Sequence, residues 1–374
     1  MRTQSERQDL LEDRMDTALS CFMNQQFPEA EELFRAVLEE EPGNSSALNN
    51  LAETLRSQGK LDEAVALFRQ LLESTPDNAI VWKNLSISLQ QDEQWDEAES
   101  ALRSSLSIND KDSSTWHLLG CLLLEQERRA EAISSLQNSL KLDPQGELGT
   151  RLKLAHLGVL DAPSCASGAF VKRMYAQAAA IWDQSVGHAR GYAAPLLLQV
   201  ALSRVMPDAK DLTILDAGCG TGLCAPMLKP MAKYLVGVDL SDRMLERAVK
   251  KSLYTHLVLA DITAYVEANP NTFDLIVSAG VLIHFGDLLP LFTAVANSLT
   301  SRGLFAFTVF KNSEDRDYSV DAQNFYSHSK RYLLDVAART ALRPRVLDEH
   351  IHEYWNGSPV PCFTVILEGP GERQ

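Results

Sequence analysis

The chain has 374 residues, 45% hydrophobic and 23% charged, with a formal net charge of -15. That is too long for one ordinary domain and apolar enough for two cores, while no run approaches the roughly 20 apolar residues of a membrane span and the opening MRTQSERQDLLEDRMD lacks the apolar segment of a secretion signal. Residues 1–160 hold 28 acidic and 15 basic side chains, net -13, and the remainder 22 and 20, net -2, so one half repels a phosphate backbone and the other offers it no basic block.

A cytoplasmic protein is therefore expected, with no membrane contact and with nucleic acid a poor partner. The six cysteines are scattered without a CxxC pair, which reads as reduced thiols. The Cys219 and Cys224 pair lacks the neighbouring ligands of a zinc site, and no metal is expected.

From the amino terminus, the first signal is a repeat of 34 residues. Ala30, Ala64, Ala98 and Ala132 recur at that interval, each followed four residues later by Phe34, Phe68, Leu102 or Leu136. Sixteen residues before each alanine stand Arg14, Leu48, Trp82 and Trp116, and thirteen before it Thr17, Leu51, Leu85 and Leu119. Pro42, Pro76, Asp110 and Pro144 close the units. These marks resemble the tetratricopeptide repeat, in which a small residue lets two helices approach and a bulky one fills the gap a turn later. Four units over roughly 9–145 are expected, with Gly59, Asp62 and Asp96 in the turns between paired helices. A capping helix at 147–160 completes a domain of 9–160. Stacked repeats present a concave groove, which points to recognition of a protein partner, against the plainer reading of a stability or dimerisation module.

LDAPSCASGAF (160–170) reads as a joint running over the surface, placing the boundary near 165 and a second domain at 165–374. Helices are expected over 170–186, with Phe170, Met174, Ile181 and Trp182 on one side, and over 191–205.

From residue 211, apolar runs of five to seven residues alternate with helical stretches, the pattern of a parallel sheet covered on both faces. The runs are 212–218, 234–240, 256–261, 273–280 and 303–310. Two later runs, 344–354 and 361–369, flank WNGSPV and form an antiparallel hairpin at the sheet edge. The expected fold is thus an α-solenoid of helical hairpins followed by an α/β, Rossmann-like domain with a mostly parallel seven-stranded sheet.

The first run leads into Gly218-Cys219-Gly220-Thr221-Gly222, where absent side chains let the backbone turn sharply and approach a ligand. Asp216, Asp239, Asp261 and Ser278-Ala279-Gly280 fall at the carboxyl ends of successive strands, the edge where open parallel sheets bind ligands. A dinucleotide fingerprint requires glycine at 223, where Leu223 stands.

ILDAGCGTG, VGVDLS, ADI and DLIVSAGVLIHF, in that order, resemble the class I S-adenosylmethionine-dependent methyltransferases over roughly 170–370. With the repeats, the chain resembles bacterial members of that class that carry tetratricopeptide repeats. The resemblance implies S-adenosylmethionine as cofactor. Asp216 and residues Gly218, Cys219, Gly220, Thr221 and Gly222 would contact its methionine portion, Asp239 with Leu240 its ribose, and Asp261 with Ile262 its adenine, with Ser278 beside them. It also implies a gate helix with two aromatic-acid pairs around a tyrosine. Trp182-Asp183 matches the second pair, while Ala176 and Ala178 replace the first acid and the tyrosine.

Methyl transfer is an in-line displacement that needs alignment, dryness and, for a protonated acceptor, a proton's removal. His284 is the best placed titratable group, followed by His328 and Tyr326 ahead of a helix expected to cover the pocket. Each has a packing or capping reading beside the catalytic one. The acceptor, a small molecule or a protein delivered by the repeats, is left open. Strand four ends in SAGV, without the Pro-Pro-aromatic pattern of amide and base methylation. The competing class is a scaffold that senses the cofactor without turnover.

Overall fold

The computed structural model describes residues 4–186, 191–314 and 316–371. Two compact units emerge, Met1–Pro144 and Gln145–Gln374.

The first unit contains, among the described residues, helices α1 (Gln4–Met23), α2 (Phe27–Glu40), α3 (Ser45–Ser57), α4 (Leu61–Ser74), α5 (Ala79–Gln91), α6 (Trp95–Ile108), α7 (Ser113–Glu125) and α8 (Arg129–Leu142), joined as four hairpins. The expected register holds: the four alanines and the Phe34, Phe68, Leu102 and Leu136 that follow them are fully buried. The period also governs backbone details. Gln25, Gly59, Glu93 and Glu127 all turn through positive φ between paired helices, although only Gly59 does so without steric cost. Asn44, Asn78 and Asp112 cap the next helix by accepting from Ala47, Val81 and Ser114 N–H. Trp82 and Trp116 Nε1 each donate at 2.8 Å to the carbonyl six residues back, Pro76 and Asp110. Asp62 and Asp96 lie in the first turns of α4 and α6 rather than in the preceding turns. Much of the surface charge links one repeat to the next, through Arg35–Glu63, Arg69–Glu97 and Arg103–Glu131. Exposed pairs of this kind contribute at most about 1 kcal/mol each.

The second unit starts earlier than the composition suggested. Helix α9 (Thr150–His156), expected to cap the repeats, belongs to it. Lys153 Nζ donates to Ala322 O at 3.0 Å, His156 Nδ1 lies 3.0 Å from Val320 O, and Leu152 packs with Val320 and Tyr326. Residues 160–167 run over the surface as expected, with Leu160, Asp161, Ser164 and Cys165 exposed, but they lie inside this unit rather than joining two, and they are tied down. Ala166 N–H donates to His284 O at 2.8 Å, while Gly286 and Asp287 N–H both donate to Ser164 O at 2.8 Å. Small side chains let this strap approach the 284–287 backbone closely enough for each to satisfy the other's polar groups.

The strands are β1 (Leu212–Ala217), β2 (Ala232–Asp239), β3 (His256–Leu259), β4 (Phe273–Ser278), β5 (Leu299–Lys311), β6 (Tyr318–Val320), β7 (Tyr326–His328), β8 (Arg343–Trp355) and β9 (Ser358–Glu368). The main sheet runs β3-β2-β1-β4-β5-β9-β8, and only β9 is reversed. This is the expected seven-stranded arrangement, and the β6–β7 ribbon joins it through β5. The apolar runs of β1, β4 and β5 are buried on both faces, as a covered parallel sheet requires. Asn356 and Gly357, both at positive φ, form the two-residue turn between β8 and β9. The 170–186 helix is broken into α10 (Gly168–Ala178) and α11 (Trp182–Gln184), and α12 (Ala194–Val205) follows with Pro195 in its first turn. Among the described residues no helix is long and apolar enough to cross a membrane, and no group of three His, Cys, Asp or Glu is placed to hold a metal ion.

Candidate active site

The glycine turn after β1 is fixed from both sides. Gly218 and Cys219 N–H donate to Val238 O at 2.8 and 3.0 Å, drawing the turn against the end of β2. At Gly218 (φ +76) an added Cβ would stand 2.4 Å from Val281 Cγ2, whereas at Gly220 (φ +54) it would meet nothing within 4 Å among the described residues. Gly218 therefore permits packing, and Gly220 leaves open space beside the backbone.

The acids at the strand ends are placed by this turn. Asp239 accepts from Gly220 N–H at 2.9 Å and from Ser241 N–H at 2.8 Å, one on each oxygen, and burial raises its pKa. Ser241 Oγ caps the following helix through Met244 N–H, which frees Asp239 from that duty. Asp216 is 1% exposed and accepts from Tyr254 OH at 2.6 Å. Burial pushes its pKa from 3.8 to about 7, against the lowering effect of that hydrogen bond. Asp261 caps its own helix through Ala264 N–H at 3.0 Å.

A cavity of about 210 Å³ opens at this edge. Of the residues expected to bind cofactor, Asp216, Gly218, Cys219, Gly220, Thr221, Asp239, Leu240, Asp261 and Ile262 line it. Gly222 and Ser278 do not. Gly222 turns its α-carbon toward Tyr254, and Ser278 Oγ donates to Ala217 O at 2.9 Å, tying β4 to β1. Cys219 and Cys224 are buried free thiols whose pKa values burial drives up, so they wall the turn as small apolar groups.

The three catalytic candidates separate. His284 lines the cavity. Tyr326 and His328 are fully buried away from it: Tyr326 OH donates to Pro163 O at 2.7 Å, and His328 Nε2 lies 3.1 Å from Gly286 O. Both brace the strap and the 284–287 segment, because their strand β7 pairs with β5 at His328 and with β6 along its length, which turns these rings inward.

Apart from the gate pair Trp182-Asp183, several wall residues were not legible in the sequence. Tyr175 is the phenol of the gate segment, its OH 2.8 Å from His284 Nε2, with the rings edge to face. Burial lowers the His284 pKa to about 4, so the imidazole is neutral at pH 7. Trp182 packs edge to face on Tyr175, and Asp183, its neighbour in the expected aromatic-acid pair, hydrogen-bonds Thr221 and pairs with Lys251 Nζ at 2.7 Å. Tyr192 OH donates to Ala279 O at 3.0 Å. From β8 come two consecutive residues, His352 and Glu353, both buried and both lining the cavity. A regular strand would turn one of them outward, but the β8–β9 register shifts between Ile351 and Glu353. The lining carries four carboxylates, Asp216, Asp239, Asp261 and Glu353, and no lysine or arginine among its described residues.

Residues 215–307, which span β1 to β5 and hold the glycine turn and the strand-end acids, match the family model described as a methyltransferase domain. Residues 22–86, 55–120 and 113–145 match tetratricopeptide repeat models. Residues 215–307 are thus similar to methyltransferase domains and residues 22–145 to tetratricopeptide repeats. Among relatives of the methyltransferase domain, the 18S rRNA (guanine-N(7))-methyltransferase of Bos taurus is 36% identical over 73 residues, 20% of this chain and 26% of that protein. The malonyl-[acyl-carrier protein] O-methyltransferase of Halalkalibacterium halodurans is 33% identical over 150 residues, 37% of this chain and 54% of that protein. Among solved structures, the Burkholderia thailandensis 1,6-didemethyltoxoflavin-N1-methyltransferase is 17% identical with a TM-score of 0.45, covering 56% of this chain and 93% of that one. The chain thus spans about a quarter to about half the length of these two curated relatives.

Proposed function

We propose that this chain transfers a methyl group from S-adenosylmethionine to a nucleophilic acceptor held in the cavity of the second unit. The observation that carries the reading is the charge of the wall, four carboxylates without a lysine or arginine among the described lining residues. Such a wall repels the phosphates of a dinucleotide or nucleoside triphosphate and favours a ligand bearing sulfonium and ammonium charges. Asp239, with both oxygens oriented by backbone N–H groups, is placed to accept from two vicinal ribose hydroxyls. Asp261 and Ile262 would take the adenine, and Asp216 with residues 218–221 the methionine portion.

When bound, the donor supplies an electrophilic methyl carbon on a positively charged sulfur. The chain's own residues contribute position and exclusion of water. Val171, Tyr175, Trp182, Val186, Ile283 and Phe285 give the cavity apolar walls. His284, neutral and hydrogen-bonded to Tyr175, is too weak a base to hold a proton at pH 7, and its role is to orient the acceptor. The repeats, in this reading, recruit a protein that is the acceptor or carries it.

Calorimetric titration of the whole chain and of Asp239→Ala with S-adenosylmethionine tests the donor site. Micromolar binding that the variant loses supports the reading. A folded parent that binds nothing sinks it and leaves the repeats as the working part. Binding with no turnover over a broad acceptor set favours the cofactor-sensing scaffold instead.

A further inference from the structure

Three of the four lining carboxylates have a place in the donor site proposed above. Asp216 and Asp239 lie at the ends of β1 and β2, and Asp261 follows β3, so all three sit on one side of the β1–β4 junction. Glu353 comes from β8, at the opposite edge of the sheet, and no donor contact requires it. It is 6% exposed, on a bulge that turns both it and His352 inward. Bulges beside a cavity re-aim side chains at the expense of regular pairing.

Its surroundings leave the carboxylate underused. Among the described residues the one ionisable group in contact with it is His352, whose Nδ1 lies 3.4 Å away and forms an ion pair only when the ring is protonated, and that nitrogen has no hydrogen bond. The phenols of the same wall are engaged elsewhere, Tyr192 with Ala279 O and Tyr175 with His284. A second buried ring nitrogen on the wall, His284 Nδ1, also has no hydrogen-bond partner among the described residues. Buried polar groups left in this state are satisfied when a ligand brings the missing donors and acceptors. The Tyr175 phenol is driven up by burial and then by the charges of Asp239 and Glu353, so it feels the donor-side and the β8 acid together.

We infer that Glu353 reads the methyl acceptor: its carboxylate accepts a hydrogen bond from an N–H or O–H group beside the transferable methyl, and its charge turns carboxylate acceptors away. The inference rests on the donor-site reading. It assigns the acceptor class as an amine, amide or hydroxyl compound, neutral or cationic, seated against Tyr175, Tyr192 and His284.

The test uses two donor analogues on the whole chain. Sinefungin carries an ammonium-bearing carbon in place of the methylated sulfur, and S-adenosylhomocysteine lacks that group. Calorimetry on the parent, Glu353→Gln and Glu353→Asp gives the ratio of the two affinities. The expected result is a parent preference for sinefungin that falls about tenfold in Glu353→Gln, with S-adenosylhomocysteine binding within about twofold of the parent, and a partial fall in Glu353→Asp. An unchanged ratio overturns the inference and leaves the donor site standing. Loss of both analogues in both variants also overturns it, since Glu353 then serves the fold or the donor. A folded parent that binds neither analogue removes the donor-site reading itself.

Discussion

Replacing Asp216 by Asn should make the ligand-free protein more stable at pH 8 while weakening its hold on S-adenosylmethionine. The carboxyl ionises near 3.8 in the unfolded chain and at about 7 in the folded one, because burial disfavours its charge. Below pH 4 it is protonated in both states and contributes nothing. As pH rises from 4 to 7 the unfolded chain releases the proton first, so stability is lost over that window, and above 7 the loss levels at roughly 4 kcal/mol. Asn keeps an oxygen to accept from Tyr254 OH and carries no charge. Allowing for relaxation around the site, a gain of roughly 2–4 kcal/mol at pH 8 is expected, a rise in melting temperature on the order of 5–10 °C for the second unit. Thermal melts of parent and variant at pH 4.5 and pH 8 give the difference of differences. A gain that is no larger at pH 8 than at pH 4.5 refutes the reasoning. The same carboxylate should serve a cationic ligand, so parent affinity for S-adenosylmethionine should fall below pH 7 while that of Asp216→Asn stays weak and flat.

Two glycines of one turn should fail differently. Gly220→Ala, with open space at its Cβ, should fold with a cost of about 1 kcal/mol and lose S-adenosylhomocysteine binding, whereas Gly218→Ala should lose stability through contact with Val281; equal melting temperatures would contradict the distinction. In the repeats, Glu93→Gly and Glu127→Gly should each raise stability by about 0.5–1 kcal/mol, because both residues adopt the positive φ that Gly59 takes freely. Denaturant melts followed by circular dichroism check this, and a lower midpoint would show that those side chains contribute more than their backbone costs. The His284 ring should titrate near pH 4 by NMR and stay neutral from pH 5 to 8; a midpoint near 6.5 would place it in contact with water.

The repeat was legible in the sequence because its physics is local and recurs. A period of 34 brings alanine to the same helix crossing four times, and one register satisfies caps, turns and packing together. The α/β pattern and the acids at strand ends were legible for a related reason: once an apolar run is a covered parallel strand, its last residue lies at the ligand edge. The Asn356-Gly357 turn follows from backbone preference alone.

Tertiary structure decided what depends on partners distant in sequence. The strap at 160–167 has the composition of a linker, and only the 284–287 backbone makes it part of the site. The sequence ranks His284 ahead of His328 and Tyr326 but cannot separate cavity from core; the pairing of β7 with β5 and β6 buries the latter two, and His284 meets Tyr175 from a helix more than a hundred residues earlier. His352 and Glu353 stand in EHIHE, where strand alternation puts His350 and His352 on one face and gives no sign that Glu353 joins His352. Their joint entry into the cavity comes from a one-residue slip between β8 and β9, and alternation along a strand cannot announce where it will be interrupted.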